Sequence, residues 1–292
     1  TLPISGLAQN SSRPDNFIGI HYFSPVEKMP LVEIIMGEKT SQETLAKTMD
    51  YVQKIKKTPI VVNDSRGFYT SRVFGTYTGE GVAMLAEGIK PALIENAGKM
   101  TGMPMAPLAL ADAVALDLAW KVTTQTKKDF EAEGKDFPIT PMYSIMEEMV
   151  DKQGRFGKKN NKGFYEYPEN GKKYLWPELS NLCKESDDQP DVEELKKRFL
   201  YIQAVETAKC FEENVLTDVR DADIGAILGW GMAPWTGGPL SFIDMVGVKD
   251  FVAEADKLAQ KYGERFTPCK LLRDMAAKNE SFHKSGNSSQ AA

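Results

Sequence analysis

Asn16-Phe17-Ile18-Gly19-Ile20-His21-Tyr22-Phe23-Ser24-Pro25-Val26, followed by Met29-Pro30-Leu31-Val32-Glu33-Ile34-Ile35-Met36, is the stretch whose reading decides the fold of this chain. Both halves are short apolar runs bounded by turn residues, the pattern of buried strands, and they predict strands over 17–23 and 31–36. Thr40-Ser41-Gln42-Glu43 has the form of a capping box, with Thr40 and Glu43 set to satisfy each other's amides, and predicts a helix from there to about Lys57. Thr58-Pro59-Ile60-Val61-Val62 predicts a third strand. Three strands with one clear helix make an incomplete α/β sheet, because a parallel sheet needs cover on both faces.

Two polar residues stand out in this apolar setting. His21 ends the first strand just before the chain must turn, and the carboxyl end of a strand in an open α/β sheet faces the crevice where ligands bind. Glu33 interrupts an otherwise apolar strand, where a carboxylate is costly unless paired. A nearby imidazole is its simplest partner, since the carboxylate fixes the tautomer and stabilises the imidazolium. The pair reads equally as a general-base dyad or as a structural ion pair.

Beyond Asn63-Asp64-Ser65, a turn and cap cluster, the pattern becomes helical. Phe74, Tyr77, Gly81 and Met84 mark one helix, Pro91 opens a second, and Leu110, Val114 and Leu118 mark a third. A Gly/Lys-rich loop runs from Gly154 to Tyr167, and a Pro- and acid-rich connection follows over 168–190. A further helix is capped by Asp191 with Glu194. Residues 284–292 are polar and expected to fray. An internal repeat matches Gly102-Met103-Pro104-Met105-Ala106-Pro107-Leu108 to Gly231-Met232-Ala233-Pro234 and Gly238-Pro239-Leu240, pairing Asp112 with Asp244. The expected divisions are 1–63 (end of a dinucleotide-binding sheet), 64–167 (first helical domain), 168–190 (linker) and 191–284 (second helical domain).

Composition is that of a globular protein: 292 residues, 42% hydrophobic and 26% charged, enough for two or three domains. Lys+Arg 36 against Asp+Glu 41 give a net charge of −5 and no basic stripe, which argues against a nucleic-acid partner. The Lys-rich segments at 54–57, 158–162 and 172–173 read as solvated helix ends and loops. Cys183, Cys210 and Cys269 are widely spaced, with no zinc pattern, and suit a reducing compartment, bacterial cytoplasm or mitochondrial matrix. No metal site, transmembrane run or secretory leader is legible. His283, the second histidine, reads as an exposed residue near the tail. Gly229-Trp230-Gly231 is a lone GxG without a preceding strand and reads as a helix turn. Met100, Met103 and Met105 read as packing.

The quoted stretch resembles the signature of 3-hydroxyacyl-CoA dehydrogenases. Gly67-Phe68-Tyr69-Thr70-Ser71-Arg72, Leu110-Ala111-Asp112-Ala113-Val114-Ala115-Leu116-Asp117, Gly154-Arg155-Phe156-Gly157 and Lys162-Gly163-Phe164-Tyr165 match that family in order and spacing. The second helical repeat resembles the multifunctional α subunit of the fatty-acid oxidation complex. The resemblance implies a Rossmann-type remnant followed by two duplicated all-α domains of the 6-phosphogluconate dehydrogenase C-terminal type. It implies NAD-dependent oxidation of L-3-hydroxyacyl-CoA in β-oxidation, with His21 taking the hydroxyl proton, Glu33 orienting His21 and Ser71 near the thioester of an acyl-CoA closed over by the first helical domain. Single-domain members carry Asn where this chain has Ser71. It further implies an enoyl-CoA hydratase domain upstream and a thiolase β subunit as partners. The Gly-rich dinucleotide loop and the family's catalytic Ser are not among these 292 residues, so the chain is expected to be a fragment, inactive alone. The competing reading is a non-catalytic helical module that docks hydratase or thiolase partners.

Overall fold

The computed structural model describes residues 2–137, 140–182 and 184–283. The chain forms two compact units, one of residues 1–76 with 200–292 and the other of residues 77–199. The boundaries of these units fall inside helices Thr70–Ala86 (α3) and Val192–Glu212 (α9).

The first unit is built on three strands, β1 (Gly19–Tyr22), β2 (Leu31–Met36) and β3 (Thr58–Asn63), with β2 central, antiparallel to β1 and parallel to β3. A short helix α1 (Ile4–Ala8) precedes them, and Ile4 sits so close to Gly19 that any Cβ there would collide with it. Because side chains alternate across a strand, β2 serves two layers. Val32 and Ile34 face helix α2 (Gln42–Lys54), where they form a core with Val52, Leu45 and Met49. Leu31, Glu33 and Ile35 take the opposite face, which helix α10 (Val219–Trp230) covers. Gly229 lets α10 approach Leu31 and Phe23, and Gly225 lets it approach Ile60 and Tyr69. The outer edge of β3 is closed by the same region: Asn63 N donates to Val215 O and Val61 N to Asp221 Oδ2.

Helix α2 starts one residue later than the capping-box reading. Ser41, not Thr40, is the N-cap and accepts from Thr44 N, while Glu43 pairs with Lys47. Thr40 Oγ1 instead accepts from Gly37 N and donates to Phe17 O, tying the helix entry back to β1. Lys57 is likewise not simply solvated. Its Nζ donates to Val26 O and Met29 O at 2.6 Å, clamping the β1–β2 connection.

The second unit holds the end of α3, α4 (Pro91–Met100), α5 (Pro107–Val114), α6 (Leu116–Ala132), α7 (Met142–Glu147), the hairpin β4 (Tyr165–Glu166) with β5 (Tyr174–Leu175), α8 (Leu179–Leu182) and the start of α9. The helix read through Leu110, Val114 and Leu118 is broken at Ala115, whose φ of 85° ends α5 and starts α6. The remaining helices, α11 (Pro239–Val246), α12 (Val248–Tyr262) and α13 (Lys270–Lys278), complete the first unit with α10.

Both units contain an arginine–glutamate set and carboxylates that accept from backbone amides. Arg72 donates to Glu206 and Glu213 in one, and Arg198 to Glu80 and Glu87 in the other, at one constant offset. Asp112 accepts from Phe164 N and Tyr165 N, and Asp244 from Phe282 N and His283 N. Glu95 accepts from Leu108 N and Ala109 N at the start of α5, and Asp223 from Leu240 N and Ser241 N at the start of α11. His283 is exposed, as read from its place near the tail, and its Nε2 lies 2.8 Å from Asp223 Oδ2. Cys210 and Cys269 are buried free thiols, and burial pushes Cys210 up to about 12. Cys183 and residues 284–292 lie outside the described residues. Among the described residues no helix is long and apolar enough to cross a membrane, and no cluster of His, Cys, Asp or Glu has a metal-binding arrangement.

Candidate active site

His21 and Glu33 are direct partners across the antiparallel β1–β2 ladder, so the hairpin register alone puts both side chains on one face. Nδ1 of His21 lies 2.8 Å from Glu33 Oε2. The carboxylate is fully buried, while the imidazole remains 26% exposed. A buried carboxylate accepts, so Nδ1 carries the proton and Nε2 is the lone-pair nitrogen.

The rest of the Glu33 carboxylate is satisfied from the start of α3. Gly67 and Phe68 both adopt left-handed backbone, φ 78° and 50°, which turns the chain so that the first amides of the helix point back at β2. Tyr69 N and Thr70 N each donate to Oε1 at 3.0 Å, and Thr70 Oγ1 donates to Oε2 at 2.5 Å. Glu33 thus serves as the N-terminal cap of α3, supplied from a distant strand. A carboxylate in this place satisfies orphan helix amides and meets the positive end of the helix dipole. Four donors converge on one buried carboxylate, which is how a charge stays affordable in an apolar layer.

Aromatic rings fix the imidazole from the sides. Phe23 lies 4.6 Å and Phe68 6.1 Å from its centroid. Beneath, Tyr69 is fully buried, its hydroxyl donating to Ala222 O and its ring edge-on to Trp230 at 5.5 Å, with burial pushing the phenol well above its usual range. Trp230 is held in turn by Gln203. The arrangement is a single-nitrogen base presented at the end of a strand, with its tautomer set by a buried carboxylate. It can take a proton from a hydroxyl and return it.

Of the three residues singled out by sequence, the structure brings His21 and Glu33 together. Ser71 stands half-buried one position beyond the cluster, in the first turn of α3. Sequence reasoning missed Thr70 and the Tyr69 amide. The signal for them is weak, because they reach Glu33 from 37 and 36 positions away. A cavity of about 330 Å³ between β1 and α2, lined by Ile18, Ile20, Thr44, Lys47 and Tyr51, opens on the other face of the sheet from His21.

The residues present do not include a cradle for a dinucleotide pyrophosphate. Among the described residues no strand runs through a glycine-rich turn into a helix, so no step of the chemistry is assigned to a bound cofactor.

Residues 1–65 match the family model described as 3-hydroxyacyl-CoA dehydrogenase, NAD binding domain, and residues 67–167 match the model described as 3-hydroxyacyl-CoA dehydrogenase, C-terminal domain. The crystal structure of 3-hydroxybutyryl-CoA dehydrogenase from Escherichia coli superposes with a TM-score of 0.74 at 21% identity, covering 96% of this chain and 74% of that one, and speaks to the fold. That of (S)-3-hydroxybutyryl-CoA dehydrogenase from Ralstonia eutropha is 35% identical over 58% of this chain and 58% of that one, with a TM-score of 0.51. The dehydrogenase part of multifunctional enzyme 1 from C. elegans is 26% identical over 94% of this chain and 63% of that one, with a TM-score of 0.65. The chain thus spans less than two thirds of the latter two. With both domains of one family matched in order, this chain belongs to the 3-hydroxyacyl-CoA dehydrogenases, a family of oxidoreductases whose cofactor is NAD.

Proposed function

We propose that this chain carries the proton-transfer centre for the oxidation of L-3-hydroxyacyl-CoA to 3-oxoacyl-CoA in fatty-acid β-oxidation. The observation that carries the reading is the 2.8 Å contact of His21 Nδ1 with a buried Glu33, which leaves Nε2 as the base at the carboxyl end of β1. His21 takes the proton of the 3-hydroxyl, and Glu33 stabilises the imidazolium that results. NAD, where bound, supplies the hydride acceptor. Ser71 is the candidate donor to the substrate's thioester carbonyl.

The reading extends to the duplication. The repeated arginine–glutamate sets and the matched carboxylates Asp112 with Asp244 and Glu95 with Asp223 support two copies of one helical design.

Calorimetric titration with acetoacetyl-CoA tests the assignment. The expected result is saturable binding by the 292-residue chain, weakened several-fold in Ser71→Ala, with NADH-dependent reduction below detection. Absence of acyl-CoA binding would overturn it.

A further inference from the structure

Thr70 is placed in a way that the dyad alone does not require. Its Oγ1 donates to Glu33 Oε2, the same oxygen that accepts from His21 Nδ1, and lies 3.4 Å from that nitrogen. The two helix amides both hold the other oxygen, Oε1. Two bonds to one oxygen anchor the carboxylate but leave it free to swing about its last torsion, which is a soft sp³–sp² rotor. Oε2 is held by the imidazole of His21, which is 26% exposed, and by Thr70, which is fully enclosed at 1% exposure where no solvent can replace its hydroxyl.

The geometry points to Thr70 as a positioning residue that acts through Glu33: its hydroxyl fixes the carboxylate plane and so holds His21 in the Nδ1–H tautomer with Nε2 bare. The inference rests on the proton-transfer reading above. Thr70 touches no reacting atom in this role. Its hydroxyl is a neutral donor to a charged acceptor inside a buried site, where such a bond is stronger than one in water.

The chain has two histidines, so its imidazole nitrogens can be followed individually by ¹⁵N NMR, and the set that disappears in His21→Asn belongs to His21. In the wild-type chain His21 is expected as the Nδ1–H tautomer. Thr70→Val, which keeps the shape and removes the hydroxyl, is expected to lower the Nδ1–H to Nε2–H ratio roughly tenfold, the size of losing one hydrogen bond to a charged group. Thr70→Ser should restore it, and the Tyr69 and Thr70 amides should stay protected from exchange in both. A Thr70→Val chain with the wild-type ratio overturns the inference. Should Thr70→Val not fold, Thr70→Ala is read the same way. The underlying dyad fails separately: a wild-type His21 in the Nε2–H form, or a tautomer unchanged in Glu33→Gln, removes the dyad whatever Thr70 does.

Discussion

At the scale of single residues, the site separates chemistry from stability. Glu33 bears on both, since it caps α3 and orients His21, whereas His21 contributes one contact from a partly open position. Glu33→Ala strands two backbone amides and a hydroxyl in a dry layer and is expected to cost about 2–4 kcal/mol, from lost buried hydrogen bonds and a lost helix cap. His21→Ala leaves the carboxylate with three donors and should stay within about 1 kcal/mol of wild type. Urea denaturation of the two variants checks the contrast, and equal losses would show that the imidazole is a structural pillar. The dyad was legible in sequence because both residues lie on one hairpin, where spacing and alternation decide who meets whom. Thr70 was not legible. A cap donated from another strand leaves no local pattern, and the Asn63-Asp64-Ser65 cluster offered a plausible local cap that the helix does not use.

At the scale of elements, the docking of the 154–167 loop hangs on one carboxylate. Asp112 is buried, and that burial, opposed by the Phe164 and Tyr165 amides and the Tyr167 hydroxyl, raises it to about 6. A folded-state value above the unfolded one means that the proton is bound more tightly in the folded chain. The associated stability is therefore fully present below about pH 4 and is lost as pH rises through about 6, amounting to about 3 kcal/mol for a two-unit shift. Asp112→Asn, which has no proton to lose, should flatten that limb of a stability–pH curve. The loop also needs Gly163, where any Cβ would collide with the Asp112 carboxylate, and this explains why a Gly/Lys-rich segment legible only as loop is in fact tightly seated. The break at Ala115 teaches the complementary lesson. Ala115 holds φ 85°, ψ 115°, and Gly247 holds nearly the same conformation, φ 89°, ψ 122°, between α11 and α12. Alanine gives no signal of a helix stop, so the apolar spacing read straight through it. Ala115→Gly should stabilise the chain by about 1 kcal/mol by relieving left-handed strain, and Gly247→Ala should destabilise it comparably. Opposite signs in thermal denaturation would confirm that the two junctions are equivalent, and a destabilising Ala115→Gly would refute it.

At the scale of the whole molecule, sequence order and packing order differ. The sheet that carries His21 shares a unit with the last helices of the chain, an association between residues about 160 positions apart, as in the bond from Val61 N to Asp221. Periodicity reveals elements and motifs reveal family, but neither encodes which distant helix covers which sheet face. That depends on close approaches such as Gly225 against Ile60 and Tyr69. The ion pairs obey the same logic. Arg198 is fully buried between Glu80 and Glu87, so Arg198→Ala leaves an uncompensated buried charge and should cost about 3–5 kcal/mol. Arg72 serves Glu206 and Glu213 at 20% exposure, where water can resolvate the carboxylates, so Arg72→Ala should cost clearly less. If the two sets descend from one design, the difference measures burial alone. Double-mutant cycles of each arginine with its nearer glutamate, Arg198 with Glu80 and Arg72 with Glu206, should then give the larger coupling in the buried set. Equal couplings would mean that local geometry, rather than desolvation, sets the strength of the pair.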